Sequence, residues 1–452
     1  MRYPVSRVFS SDHARRTSDI LLRSLAICLL LGTTLQSTAQ QKMSLEDCVQ
    51  YAYDHSPQMT LAKLDIRDAD WQIRENTAIA LPQINANVNY QHFLKQPAIP
   101  SEAFGFEIEG NPKLSFALRN NLSGSVGIHQ LLFDNTYLTG IKAAKEYRKY
   151  VGLKLTAVKT ALRNTVVDAY LPALRLSENI DILDKNISVQ EDLLHETREV
   201  QRAGFADQLD VDRLEYAVST LRSQRDDLAR QKDILVSALK FTINMPIRDE
   251  VALTDNLAIL LLKYADANPT DTLDYQNKPD YVAVLKAREL SEIQVDLYDK
   301  HWLPSLGAFA QYQPSYQGND KLYWIPSAIV GLQLTIPIYD GGLDKARKER
   351  AVVTAEQVDV QKETLEQSYD LAVETARKQY ANAEERVKNE EQNLELAQRI
   401  YDTAQTKFKT GLGSSLDVTQ ALTSLNQTQG ALINARYELL QARIAIKRAF
   451  GK

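Results

Sequence analysis

Two glycine turns followed by acidic residues are where residue type and spacing bear most directly on chemistry in this chain. Gly204 is followed by Asp207 and Asp210, and Gly411 by Asp417; Leu209-Asp210-Val211 in the first returns as Leu416-Asp417-Val418 in the second. A carboxylate in the first turn of a helix is favoured by the helix dipole, so these positions offer electrostatics rather than catalysis. His13, His55, His92, His129, His195 and His301 are scattered, and no two stand four residues apart. There is no HExxH, CxxC, phosphate-binding loop or nucleophile elbow. Gly341-Gly342 lacks the surrounding pattern of a phosphate cradle and reads as a strand-to-helix joint, entered through Pro337 and Asp340. The remaining carboxylates read as helix-surface charge. These residues predict a protein that is not an enzyme and has no cofactor or metal.

The elements that carry the turns are written twice. Leu81-Pro82-Gln83-Ile84 leads into Asn85-Ala86-Asn87-Val88-Asn89-Tyr90-Gln91, and Leu303-Pro304-Ser305-Leu306 into Gly307-Ala308-Phe309-Ala310-Gln311-Tyr312-Gln313. The offset of 222 (303 − 81) also relates Pro57 to Pro279, while Phe133-Asp134 returns as Tyr339-Asp340. An internal duplication of helix, strand, strand and long helix excludes an ordinary globular enzyme.

The chain has 452 residues with 17 Gly and 14 Pro, and long stretches hold neither, which favours long helices. Arg2, Arg7, Arg15, Arg16 and Arg23 precede an apolar run from Leu25 to Leu31, followed by Ser37-Thr38-Ala39. This reads as a secretory signal peptide over 1–39. Its apolar core is too short for a membrane helix, and Ile27 before Cys28 argues against a lipid anchor. Losing this leader removes five Arg and two Asp, taking the net charge from −5 to −8. Nucleic acid is therefore not an expected partner. Only Cys48 remains, at helical spacing with Leu45 and Ala52, as a small core residue.

Ser44-Leu45-Glu46-Asp47 opens a helix as a capping box. After Pro82, Ile84, Ala86, Val88 and Tyr90 alternate with Asn85, Asn87, Asn89 and Gln91. Residues 94–121 show no convincing pattern. A second strand follows, with Leu122, Val126, Ile128 and Leu132 on one face; in the second half Leu306, Ala308, Ala310 and Tyr312, then Ala328, Val330, Leu332, Leu334, Ile336 and Ile338, alternate likewise. Four such strands carry the signature of a transmembrane β-barrel, and a half-buried soluble sheet would look the same strand by strand. From Gly342 to Phe408 there is neither Pro nor internal Gly, about 100 Å of helix. Its seam reads Leu365, Tyr369, Ala372, Ala376, Tyr380, Ala383, Val387, Leu394, Ala397, Tyr401, Ala404, Phe408, the spacing of a coiled-coil interface. The matching helix spans about 140–203, with Pro172 as its expected kink. Return helices follow at about 208–244 and 415–450. Residues 277–302 and 208–244 together approach the length of Gly342–Phe408, which suggests two short helices stacked end to end beside a long one. The organisation is thus a leader (1–39), a first repeat (40–245), a middle belt (246–276) and a second repeat (277–452).

The chain resembles the TolC-type outer-membrane efflux proteins over essentially the whole mature sequence. The resemblance is carried by Pro337-Ile338-Tyr339-Asp340-Gly341-Gly342, by Gly411 with Leu416-Asp417-Val418, and by the closing Asn434–Gly451 segment. It implies a mainly α protein with a membrane β-barrel, each chain of a homotrimer giving four strands to one shared 12-stranded barrel below which the helices form a long periplasmic α-barrel. It implies residence in the outer membrane of a Gram-negative bacterium, in contact with outer-membrane lipid. The function implied is a passive duct of a tripartite efflux or type I secretion system, working with a periplasmic adaptor (membrane fusion) protein and an inner-membrane transporter. Gly204, Phe205, Gly411, Leu412 and Gly413 would form the adaptor-docking tips. Asp210 and Asp417 would line a periplasmic aperture; Gln420 stands where well-known members carry a second Asp, and Asp207 would compensate. A periplasmic adaptor and a coiled-coil structural secretion component are the competing readings. The first calls for one hairpin between soluble β-domains and the second leaves four alternating strands unused.

Overall fold

The computed structural model describes residues 41–105, 113–115 and 117–452; the leader assigned to 1–39 lies outside them. In chain order the elements are β1 (Gln41–Met43), α1 (Leu45–His55), α2 (Pro57–Ala78), β2 (Gln83–His92), β3 (Ala98–Pro100), β4 (Lys113–Ser115) and β5 (Asn120–Phe133). Next come α3 (Asn135–Arg202), α4 (Gln208–Thr242), β6 (Val251–Leu253), α5 (Leu257–Lys263), α6 (Pro279–Asp299), β7 (Ser305–Gly318), β8 (Tyr323–Thr335), α7 (Leu343–Lys409) and α8 (Ser415–Ala449).

Local chemistry explains the helix starts. Ser44 and Asp47 close a reciprocal capping box on α1, and Ser56 caps α2 with Pro57 in its first turn. The Asp134 carboxylate accepts from Tyr137 N–H at 3.0 Å, so α3 begins at Asn135, earlier than the Gly140 expected. It runs 68 residues and is continuous through Pro172. The 67-residue α7 matches expectation closely. Its seam differs at one position, where Val373 is buried and Ala372 is exposed. An α-helix turns at 3.6 residues against the 3.5 of a strict heptad, and over this length the stripe drifts by a residue.

Strands β2, β5, β7 and β8 form one antiparallel sheet in that order, 10, 14, 14 and 13 residues long. Its register aligns apolar residues across all four strands: Ile84–Ile128–Ala310–Val330, Ala86–Val126–Tyr312–Ala328 and Tyr90–Leu122–Tyr316–Trp324. The opposite face aligns Asn85–Gly127–Gln311–Ile329 and Asn89–Ser123–Ser315–Ile325. Both faces lie open in the single chain, with Val88 at 78% and Val330 at 81% exposure. Strand β8 ends at Thr335, so Ile336 and Ile338 leave the ladder beside Pro337, which has no N–H to pair. Within 94–121, where no pattern was legible, β3 and β4 pair as a short antiparallel ribbon.

The stacking of short helices differs from the pairing suggested by length alone. Asn244 Nδ2 donates to His55 O at 2.9 Å, so α4 meets α2 end to end beside α3. Lys278 Nζ donates to Arg448 O, so α8 meets α6 end to end beside α7. Each stack therefore comes from within one repeat; segment 277–302 joins 415–449, not 208–244. Partner choice depends on contacts hundreds of residues apart, which length does not encode.

The main core lies where these stacks meet. Leu45, Cys48, Val49 and Ala52 of α1 pack on Tyr170, Leu171 and Leu174 of α3, with Leu239, Leu257, Leu260, Leu440 and Ile444 around them. The belt recruits the mature N-terminus, because β1 pairs in parallel with β6. Burial pushes the Cys48 thiol up to about 12, so it serves as a small apolar residue there. A second core near the turns joins Leu193, Leu194, Val211, Leu214, Val218 and Leu221 to Tyr401, Val418, Leu422 and Leu425. No helix among the described residues is long and apolar enough to cross a membrane.

Candidate functional site

The two glycine turns are built alike. Phe205 N–H reaches Val200 O at 3.0 Å and Gly204 N–H reaches Gln201 O at 2.9 Å. Leu412 N–H reaches Lys407 O at 2.8 Å and Gly411 N–H reaches Phe408 O at 3.0 Å. Both are Schellman endings, which need a left-handed residue; Gly204 has φ 81° and Gly411 φ 74°. A Cβ on either would meet no atom within 4 Å, so conformation rather than space selects glycine here. Gly413 is of another kind: its φ is not positive, and a Cβ there would lie 3.0 Å from Lys407 Cβ and 3.2 Å from Phe408 N. The residues after the left-handed glycines project outward, Phe205 at 86% and Leu412 at 82% exposure. With Leu209 and Leu416, also exposed, each turn presents a small apolar tip.

The acidic residues have local duties. Asp417 accepts from Ser414 N–H at 3.2 Å and from Ser414 Oγ at 3.0 Å, while its own N–H returns to Ser414 Oγ at 3.2 Å. This capping box follows the same Ser-x-x-Asp pattern as Ser44–Asp47 and was legible by the same rule. Asp207 caps α4, its carboxylate accepting from Leu209 N–H at 3.4 Å. Asp210 accepts from Ser415 Oγ, which ties the first hairpin to the second. Nearby, Lys409 pairs with Glu196 at 2.8 Å, again across the hairpins. Asp207, Asp417 and Gln420 are exposed and Asp210 is half-buried. Structure thus brings Asp210 and Ser415 together, and leaves Asp207, Asp417 and Gln420 as charge or polarity on the surface of this end.

At the other end of the long helices, Asp340 organises the joint. Its carboxylate accepts from Asp344 N–H at 2.6 Å and from Gly342 N–H at 2.8 Å. Those two donors hold the Asp340 carboxyl below the usual range. Gly341 and Gly342 have φ of 74° and 87°, which turns the chain from strand into α7. Asp134 performs the matching duty at α3. A contact that sequence reasoning missed is His301 Nδ1 to Asp344 Oδ2 at 2.5 Å. Nothing local announces it, since the two residues are 43 apart. Among the described residues no group of His, Cys, Asp or Glu could hold a metal ion.

Comparison with known proteins follows this geometry. Residues 274–452 match the model of the family described as "Outer membrane efflux protein". The "Outer membrane efflux protein BepC" of Brucella suis biovar 1 (strain 1330) is 22% identical over 438 residues, covering 94% of this chain and 89% of that protein. The "Outer membrane protein TolC" of Escherichia coli (strain K12) is 22% identical over 459 residues, covering 94% and 85%. Among solved structures, the outer membrane protein VceC of Vibrio cholerae superimposes with a TM-score of 0.68 at 15% identity, over 90% of this chain and 96% of that one. The Campylobacter jejuni CmeC outer membrane channel gives 0.69 at 16% identity, over 90% and 85%. These two share its fold.

Proposed function

We propose, for a chain that belongs to the outer membrane efflux protein family, that it is the outer-membrane duct of a tripartite efflux or type I secretion system. It is an outer-membrane protein and a passive conduit rather than an enzyme. The observation that carries the finer reading is the four-stranded sheet. One face is apolar across every strand, and β2 and β8 each leave an edge unpaired among the described residues. Open edges are untenable in lipid, where every backbone group needs a partner. Four strands do not close alone, and eight would be filled by their own side chains. Three copies give twelve strands, enough for a lumen, with the apolar rows toward lipid and the Asn and Ser rows toward water.

On this reading α3 and α7, about 100 Å long, carry the duct through the periplasm. The leader (1–39) is removed on export. Repeats 40–245 and 277–452 form the wall, and segment 246–276 joins β1 in a belt at its waist. The apolar tips at Gly204-Phe205 and Gly411-Leu412-Gly413 dock a periplasmic adaptor that links the duct to an inner-membrane transporter. Asp210 and Asp417, repeated around the three-fold axis with Asp207 and Gln420 nearby, set the charge of the aperture. A polar-walled duct has no substrate pocket, so selection falls to the pump. The mass of the complex extracted in detergent from outer membranes tests the assembly. Three chains per particle are expected, and a monomer would overturn it.

A further inference from the structure

The contact between the first hairpin (α3 and α4) and the second (α7 and α8) is apolar near the turns and apolar again at the belt. Between these cores, α3 and α8 meet through amides. Asn186, 9% exposed, donates from Nδ2 to Gln429 Oε1 at 2.6 Å and to Asn426 Oδ1. One turn nearer the tip, Gln190 is 0% exposed and neither of its amide atoms has a protein partner. Toward the belt, Arg175 donates to Asn434 Oδ1 at 3.1 Å. A buried amide left without a partner is costly, so this layer does not serve to maximise stability.

A polar residue inside a helix–helix seam does serve register, because leucine, valine and alanine accept neighbours at many heights and an amide pair accepts one. The distances along the helices fit that role. Gly204 lies 18 residues beyond Asn186 (204 − 186), and Gly411 lies 18 residues from Gln429 (429 − 411). At 1.5 Å per residue both arms are about 27 Å long, so a layer fixed at Asn186–Gln429 brings the two turns level. The Asp210–Ser415 contact at the far end of those arms is what level turns produce.

We propose that Asn186, Asn426 and Gln429 are positioning residues that fix the axial register of the two hairpins and so hold the Gly204 and Gly411 tips at one height. Gln190 buries an amide in the layer and bridges nothing.

Cross-linking in purified full-length protein tests this without any export assay, so it stands or falls separately from the duct reading. In a Cys48→Ser background, Asp210→Cys is paired either with Ser415→Cys or with Thr419→Cys, one turn further along α8. These pairs also remove the Asp210–Ser415 contact and leave register to the amide layer. With the layer intact, the 210/415 pair should close and the 210/419 pair should close poorly. Asn186→Leu with Asn426→Leu should raise the 210/419 yield relative to 210/415 roughly fivefold or more. Asn426→Asp, which keeps the acceptor, should retain the parent ratio, and Gln190→Leu should raise Tm with the ratio unchanged. Should the double leucine protein fail to fold, Asn426→Leu compared with Asn426→Asp gives the same discrimination. An unchanged ratio in the leucine proteins, or an equal shift in Gln190→Leu, would overturn the proposal.

Discussion

Ser415 donates its Oγ–H to the carboxylate of Asp210, and this hydrogen bond joins the first turns of the two return helices across the hairpins. Its repeat counterpart, Asp417, instead closes a capping box on Ser414 within its own hairpin. Equivalent carboxylates in the duplicated frame therefore have different partners, and their substitution should have different consequences.

Asp417→Asn keeps an oxygen that can accept from Ser414 and removes the charge. Cation selectivity of the reconstituted duct should fall and block by multivalent cations should weaken, with little change in Tm. Asp417→Ala should show the same electrical effect together with ~1 kcal/mol lost from the α8 cap. Gln420→Asp should strengthen block. Reversal potentials and multivalent-cation titrations in planar bilayers measure these effects, and unchanged selectivity in both Asp417 variants would reduce that residue to a helix start.

Gly411→Val should strain the turn by ~1–3 kcal/mol through its backbone alone, since φ is 74° and open space surrounds the site. Trimers should still be recovered from outer membranes, while export and adaptor cross-linking at the tip should be lost. Adaptor cross-links confined to the 246–276 belt would contradict the tip assignment.

Val88→Arg should cost ~2–4 kcal/mol if the residue lies near the bilayer midplane, and Asn87→Arg should be tolerated. The fraction of heat-modifiable, folded barrel on semi-native gels reports both. Equal losses would remove the assignment of the Ile84–Tyr90 faces.

Much of this architecture was legible because it is periodic. Ile84, Ala86, Val88 and Tyr90 occupy one face of β2, and the long helices end at residues where glycine adopts a left-handed backbone. The capping residues of α1 and α8 follow a three-residue rule, though only the Ser44–Asp47 box was read in advance. What sequence periodicity does not carry is the choice of distant partners. The α2–α4 and α6–α8 stacks rest on single contacts such as Asn244 to His55 and Lys278 to Arg448. His301–Asp344 and the Asn186 layer are likewise tertiary. The slip from Ala372 to Val373 shows how a stripe read by spacing drifts along a long helix.

Acid should loosen the strand-to-helix joint. The folded-state carboxyl of Asp340 sits below its ordinary value because Asp344 N–H and Gly342 N–H bond its charged form. Such a group adds stability above the unfolded value of about 3.9 and loses it as pH falls through the lower folded value. Amide exchange at residues 342–346 should therefore accelerate, relative to the intrinsic rate, only as pH falls below about 4. Asp340→Asn should show fast exchange already at neutral pH, with the acid step gone.

Single-channel current through the detergent-purified complex in a planar lipid bilayer tests the central claim most directly. A passive duct narrowed by acidic residues should give small, discrete, cation-selective steps that need neither nucleotide nor adaptor. Bilayers that remain silent after verified insertion, or steps that favour anions, would contradict it.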